Sequence, residues 1–268
     1  MHFTQIKLKP TTKIETNFDT KDIGKGFEAH KDVDVLFKKY RKSKEHSDFY
    51  NYDLLMTYDN SLIYGFDYAF ENDKLFIPEI NPTTIFYSNA VMSHRNLVFF
   101  RKELKEKSPS LKHQQKPLNP NLFGHFFQLA SNCIINLQAT VESFANRQIR
   151  EDHKFIDKSG KKFEPSLFHK IDKALPEIKG IRFKSKFKQD NYRIRKLIEL
   201  RNEIIHLEPI RQVTNTKYKI TYRRLISFDY TQTILSVEKF VNFYEPNLIE
   251  KCECKNELYY DISEILAK

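Results

Sequence analysis

Apolar side chains recur at two spacings along this chain, and the change of spacing divides it near residue 80. In the first part they alternate. His2-Phe3-Thr4-Gln5-Ile6-Lys7-Leu8, followed by Pro10, has the period of a strand within residues 1–18. Tyr64 to Phe70 and Lys74 to Pro78 alternate as well, and Glu71-Asn72-Asp73 between them is a short polar turn, so a hairpin is predicted. A short helix is expected over 32–41, with Val33, Leu36, Phe37 and Tyr40 on one side. Residues 1–80 therefore read as a small α+β N-terminal module of unknown role.

Beyond Asn81-Pro82-Thr83-Thr84, a boundary and helix start, the spacing becomes helical. Helices are predicted from there to about residue 106, over 121–150, over about 165–175, over 190–207 and over about 231–244. The prolines of 107–120 and the charged stretch 151–163, with Ser159-Gly160, mark loops. In the helix over 121–150, Leu122, Phe126, Leu129, Cys133, Leu137, Val141 and Phe144 form one stripe, and Phe127 and Ile135 hint at a second buried face. Tyr218-Lys219-Ile220-Thr221-Tyr222-Arg223-Arg224 alternates and reads as a strand, and the tail after 247 as one more short helix. The chain is thus expected to be mostly α, with a helical domain over 81–268.

Composition narrows the chemistry. Six glycines in 268 residues leave no glycine-rich nucleotide loop, and Asp22-Ile23-Gly24-Lys25-Gly26 is a turn rather than a phosphate loop. Cys133, Cys252 and Cys254 do not make a disulfide framework or a zinc site, and Cys133 falls on an apolar stripe as a core residue. No apolar run is long enough to span a membrane and the N-terminus lacks a signal-peptide core, so a cytoplasmic protein is expected. The formal charge of +10 suits a polyanionic partner such as RNA, and equally a Lys-rich soluble chain. Two basic runs stand out. Lys38 to Lys44 reads as a solvated face. Arg182 to Lys188, interleaved with Phe183 and Phe187 and just ahead of the helix over 190–207, is the better candidate for an RNA-backbone contact. The aromatics of 64–76 are expected on a buried sheet face rather than stacking bases. The mid-helix His94 reads as a surface residue.

The helix over 190–207 holds the sharpest feature. With Ile194 at zero and about 100° per residue, Leu197, Ile198 and Ile205 lie within about 60° of it. Arg201 falls at about 340°, within that stripe. Asn202 and His206, four residues apart, are neighbours on its edge. A guanidinium on an apolar face needs an anionic partner, because leaving it desolvated and unpaired is costly. Either Arg201 snorkels to water or pairs with a carboxylate of the same fold, with His206 merely helping to cap the helix before Pro209, or its partner is a ligand.

Arg201-Asn202-Glu203-Ile204-Ile205-His206 resembles the motif of HEPN-domain ribonucleases: Arg, a polar residue after it, and His four to six residues beyond. Gln138 to Asn146 is similar to the first core helix of many HEPN domains, and a further helix follows the motif, so the resemblance spans about 80–250. It implies a HEPN-like antiparallel helical bundle acting as a homodimer, with Arg201, Asn202 and His206 catalytic at a composite site. It further implies endoribonuclease activity without metal or cofactor, a cyclic phosphate product, and a role as a toxin or antiviral-defence effector, with a regulatory partner or phage trigger. Glu142 and Asn146 match only loosely the polar motif that some relatives carry on the earlier helix, and Arg147 beside them is a further phosphate-contact candidate. No nucleotidyltransferase signature accompanies the motif.

Cleavage by a 2′-hydroxyl needs a base for that hydroxyl, an acid for the leaving 5′-oxygen, and positive charge near phosphorus. Histidine serves either proton role near neutral pH. Arginine offers a planar, always-charged fork. The competing reading is a non-catalytic HEPN-like module that binds RNA or protein. A metal-dependent enzyme is disfavoured, since the nine histidines include no His-x-x-x-His or His-Glu-x-x-His pair.

Overall fold

The computed structural model describes residues 4–23, 25, 31–43, 54–157, 159–209 and 215–253. The chain is mostly helical, with a small antiparallel sheet near its N-terminus. It forms two compact units: Leu8–Asn81, and Pro82 onward joined by the segment up to Lys7.

In the first unit β1 (Lys13–Glu15), β2 (Leu54–Tyr58) and β4 (Asp73–Pro78) each pair antiparallel with β3 (Ser61–Phe70). The expected hairpin is β3–β4. The expected strand over 1–18 is confined to β1, while Ile6 bridges Lys251 in the other unit. Helix α1 (Lys31–Lys42) matches the pattern and leaves Val33, Leu36 and Phe37 exposed. Part of its basic run is engaged, since Arg41 donates two bonds of 2.7 Å to Asp73; Lys44 lies outside the described residues.

The sheet has its faces the other way round from the expectation. Phe66, Tyr68 and Phe70 are exposed, together with Leu55 and Leu75 on the same face, while Ser61, Ile63, Gly65 and Asp67 are buried. Period two was legible; which face packs was not, because an ion pair occupies the covered side. Lys74 Nζ lies 3.0 Å from the Asp67 carboxylate, both side chains almost wholly buried, and the Tyr40 hydroxyl of α1 donates to the same oxygen at 2.5 Å. The cation also sits 4.3 Å from the Tyr40 ring centre.

The helical unit is built on α2 (Pro82–Lys107) and α3 (Pro120–Gln148), packed side by side. Asn119 caps α3 by accepting from the Leu122 N–H, and Pro120 follows in the first turn. The predicted α3 stripe is core: Phe126, Cys133, Leu137, Val141 and Phe144 are buried, and Ala130, Ile134 and Ala145 widen it. Burial pushes the Cys133 thiol up. Cys254 lies outside the described residues.

Next come α4 (Leu167–His169), a π turn (Lys170–Ala174), α5 (Leu175–Lys179), ended by Gly180 in the left-handed region, and α6 (Phe183–Lys186). Then α7 (Lys188–Ile205) and α9 (Tyr230–Tyr244) pack against α3 and each other. Asp190 in the first turn of α7 ties the two, accepting from Lys239 at 3.0 Å and Ser236 at 2.9 Å. Phe240 meets Phe144 and Phe183 edge-on, with centroids 5.9 and 5.3 Å apart.

Three expectations are corrected in this unit. Tyr218 to Arg224 is not a strand: α8 spans Lys219–Ser227, burying Thr221 and Leu225 four residues apart and setting Tyr222 against Phe123 and Phe127. Short apolar runs fit either period, and packing decided. His94 is in the core at 1% exposure, its Nε2 3.0 Å from Thr231 Oγ1. Burial, then the charge of Arg101, push its imidazole down to about 4. Arg147 pairs with Glu245. Most of the tail expected to be helical lies outside the described residues.

Candidate active site

Helix α7 ends at Ile205, two residues before the expected Leu207 and ahead of Pro209, and the three motif residues share its last turn and its exit. Ile194, Leu197, Ile198 and Leu200 anchor its inner face, and Ile204 packs on the core from the last turn. The buried face therefore drifts towards Leu200 and Ile204 at the C-terminal end. Arg201 ends up half-buried on the rim of the seam rather than in its middle, and Ile205, expected inside, is 48% exposed.

The Arg201 side chain is divided by this placement. Its Nε is fully buried and has no hydrogen-bond partner. One terminal nitrogen donates to Asn202 Oδ1 at 3.3 Å, and the guanidinium forms no ion pair among the described residues. Nearby acids are engaged elsewhere: Glu203 pairs with Arg224, and Glu199 is 2.8 Å from Lys196 and 3.8 Å from Arg224. Among the described residues no carboxylate pairs with Arg201, and its half-buried place on the rim leaves the guanidinium tip towards solvent.

His206 caps the helix. Its φ of −102° and ψ of 38° leave the helical region, its N–H donates to the Asn202 carbonyl at 3.0 Å, and its side chain is exposed. Asn202 is exposed as well, between the two. One turn of backbone thus presents a fixed positive charge, an amide and an exposed imidazole from one helix end, a set able to hold an anion and move a proton beside it.

The looser candidates are occupied. Gln138 donates to Glu142 at 2.7 Å, and Lys170 to Asn146 at 2.8 Å. Among the described residues no group of three or more His, Cys, Asp or Glu is arranged to hold a metal ion, and no helix is long and apolar enough to cross a membrane. One polar residue went unremarked in the sequence. Asn191 is on the buried face of α7, 6% exposed, and its only sequence signal is its position about 60° from Ile194 on an otherwise apolar flank. No protein-family model, curated protein or solved structure matches this chain.

Proposed function

We propose that this chain is an endoribonuclease whose active site is the end of α7, completed by the same helix end of a second copy. The observation that carries the reading is the guanidinium of Arg201, half-buried, bonded to Asn202 and without an ion pair among the described residues, beside an exposed His206. An Nε–H shielded from water without a partner is costly, and an incoming phosphodiester would relieve that cost.

In the proposed reaction one His206 takes the proton from the 2′-hydroxyl, whose oxygen attacks the adjacent phosphorus. The bond from phosphorus to the 5′-oxygen breaks, and the second copy's His206 protonates that oxygen. The products are a 2′,3′-cyclic phosphate end and a 5′-hydroxyl end. Arg201 offsets charge on the phosphate oxygens, and Asn202 holds the fork of Arg201. Protein ligands alone supply these roles, so cleavage is expected to persist in chelator. The half-exposed Ile205 on the same flank offers apolar surface for the second copy to cover. The setting we favour is a toxin or antiviral-defence effector.

The test is a digest of RNA in EDTA by wild type, Arg201→Ala and His206→Ala, with folding checked by thermal unfolding. Wild type should cut and both variants should lose at least about 100-fold, within the usual range for removing a proton-transfer or charge-stabilising group. RNA binding without products in wild type would favour the non-catalytic reading instead.

A further inference from the structure

At the other end of α7 the structure holds a second cluster that the proposed reaction does not use. A cavity of about 570 Å³ opens beside the start of the helix, a volume within the range that takes small ligands. The π turn between α4 and α5 brings Ile171 and Asp172 to one wall, and Arg182 to Lys188 form another. Arg195 closes it, paired to Asp172 and stacked 4.6 Å from the Phe168 ring centre.

Arg195 balances the Asp172 charge through Oδ2, while Asp172 Oδ1 is buried without a partner; the other charged side chains lining the cavity are positive. Arg182, Lys184 and Lys188 line it, and none forms an ion pair among the described residues. Surface lysines alone would mean little. Asn191 is the independent observation: it is more than nine-tenths buried, lines this cavity, and its side-chain amide makes no hydrogen bond among the described residues. The residue is buried except where its amide faces the cavity, so a ligand there is the partner within reach. The first turn of α7 adds its dipole, with no side-chain cap on its N–H groups. Tyr192, exposed on the rim, offers an aromatic face beside these donors.

We propose that this cavity binds the phosphate of a nucleotide, with Arg182, Lys184 and Lys188 around the phosphate oxygens, Asn191 donating from its amide, and Tyr192 stacking on the base. The nucleotide is a unit of an RNA chain or a free mononucleotide; the recognising chemistry is the same. The site does not depend on cleavage at the motif. By helix rise, Lys188 and His206 lie about 27 Å apart along α7.

The test measures binding to full-length protein carrying His206→Ala, which keeps RNA intact. The probes are 5′-AMP, adenosine and a short labelled single-stranded RNA. The triple variant Arg182→Gln, Lys184→Gln, Lys188→Gln is compared with a control that removes the same charge elsewhere, Lys102→Gln, Lys105→Gln, Lys107→Gln. Asn191→Asp, which keeps the side-chain shape and adds a negative charge, is the second variant, with thermal unfolding followed for all. The site variant should weaken binding by about tenfold or more, well beyond the control, since each lost phosphate contact costs affinity; Asn191→Asp should act in the same direction. Wild-type binding of 5′-AMP but not adenosine, lost in the site variant, identifies a free nucleotide as ligand. Loss confined to the RNA probe identifies the RNA chain. If the site variant matches the control with both probes, the cavity is not a phosphate site.

Discussion

Arg201 buries its Nε without a partner and forms no ion pair among the described residues, a placement that costs some stability. Arg201→Met, which keeps the apolar stem, is therefore expected to leave the melting temperature unchanged or raise it while removing RNA cleavage; a fall in melting temperature of more than a few degrees would mark the residue as structural. His94 sets a pH limit. Its folded pKa of about 4 lies below the ordinary 6.5 of histidine, so the unfolded chain binds the extra proton in between. The contribution is complete above about pH 6.5 and is lost as pH falls towards 4, by up to about 3 kcal/mol. Denaturant melts should show this slope in wild type and much less of it in His94→Gln; equal slopes would count against it. Arg201 was legible in the sequence because a charge interrupted an apolar stripe. Asn191 interrupts the same helix more quietly, and His94 carried no local sign, since its partner Thr231 arrives from α9, 137 residues away.

At the scale of elements, the long helices were readable because their stripes run for many turns and their ends carry Asn119-Pro120 and Pro82. The short elements were not. α8 alternates over seven residues yet is a helix, because Leu225 and Thr221 turn inward together and Arg224 meets Glu199 and Glu203 on α7. In the sheet the period was readable but the buried face was not, since Gly65 and Asp67 look less like core than Phe66 and Tyr68 do. Gly65 is there for space: a Cβ would lie 2.6 Å from Met56 Sδ and 2.7 Å from the Ile77 carbonyl oxygen. Gly65→Val should disrupt the unit Leu8–Asn81 while Phe66→Ser should leave it folded, a contrast that hydrogen exchange across β3 can read. Phe144→Ala, emptying the centre of α3, should cost the helical unit about 3–5 kcal/mol.

Over the whole molecule, the positive charge is not evenly shared. Residues 8–81 hold 11 Lys and Arg against 14 Asp and Glu, so the formal +10 is carried entirely by the helical unit. On the proposed reading RNA would therefore be met by the unit with the motif and the α7 cavity rather than by the exposed aromatics of β3. RNA crosslinked to full-length protein should map to 82–253, and its affinity should fall steeply with salt. Crosslinks centred on β3 would reverse that assignment. In the proposed reaction two imidazoles divide the acid and base roles, which is why a second copy is proposed.

The most direct measurement is the RNA digest in chelator with product ends mapped, run on wild type, on each of Arg201→Ala and His206→Ala, and on the two inactive variants mixed. Wild type should leave 2′,3′-cyclic phosphate and 5′-hydroxyl ends, and each variant alone should be silent. Cutting by wild type that survives in folded His206→Ala or Arg201→Ala, with the same product ends, would contradict the assignment of the active site to the end of α7.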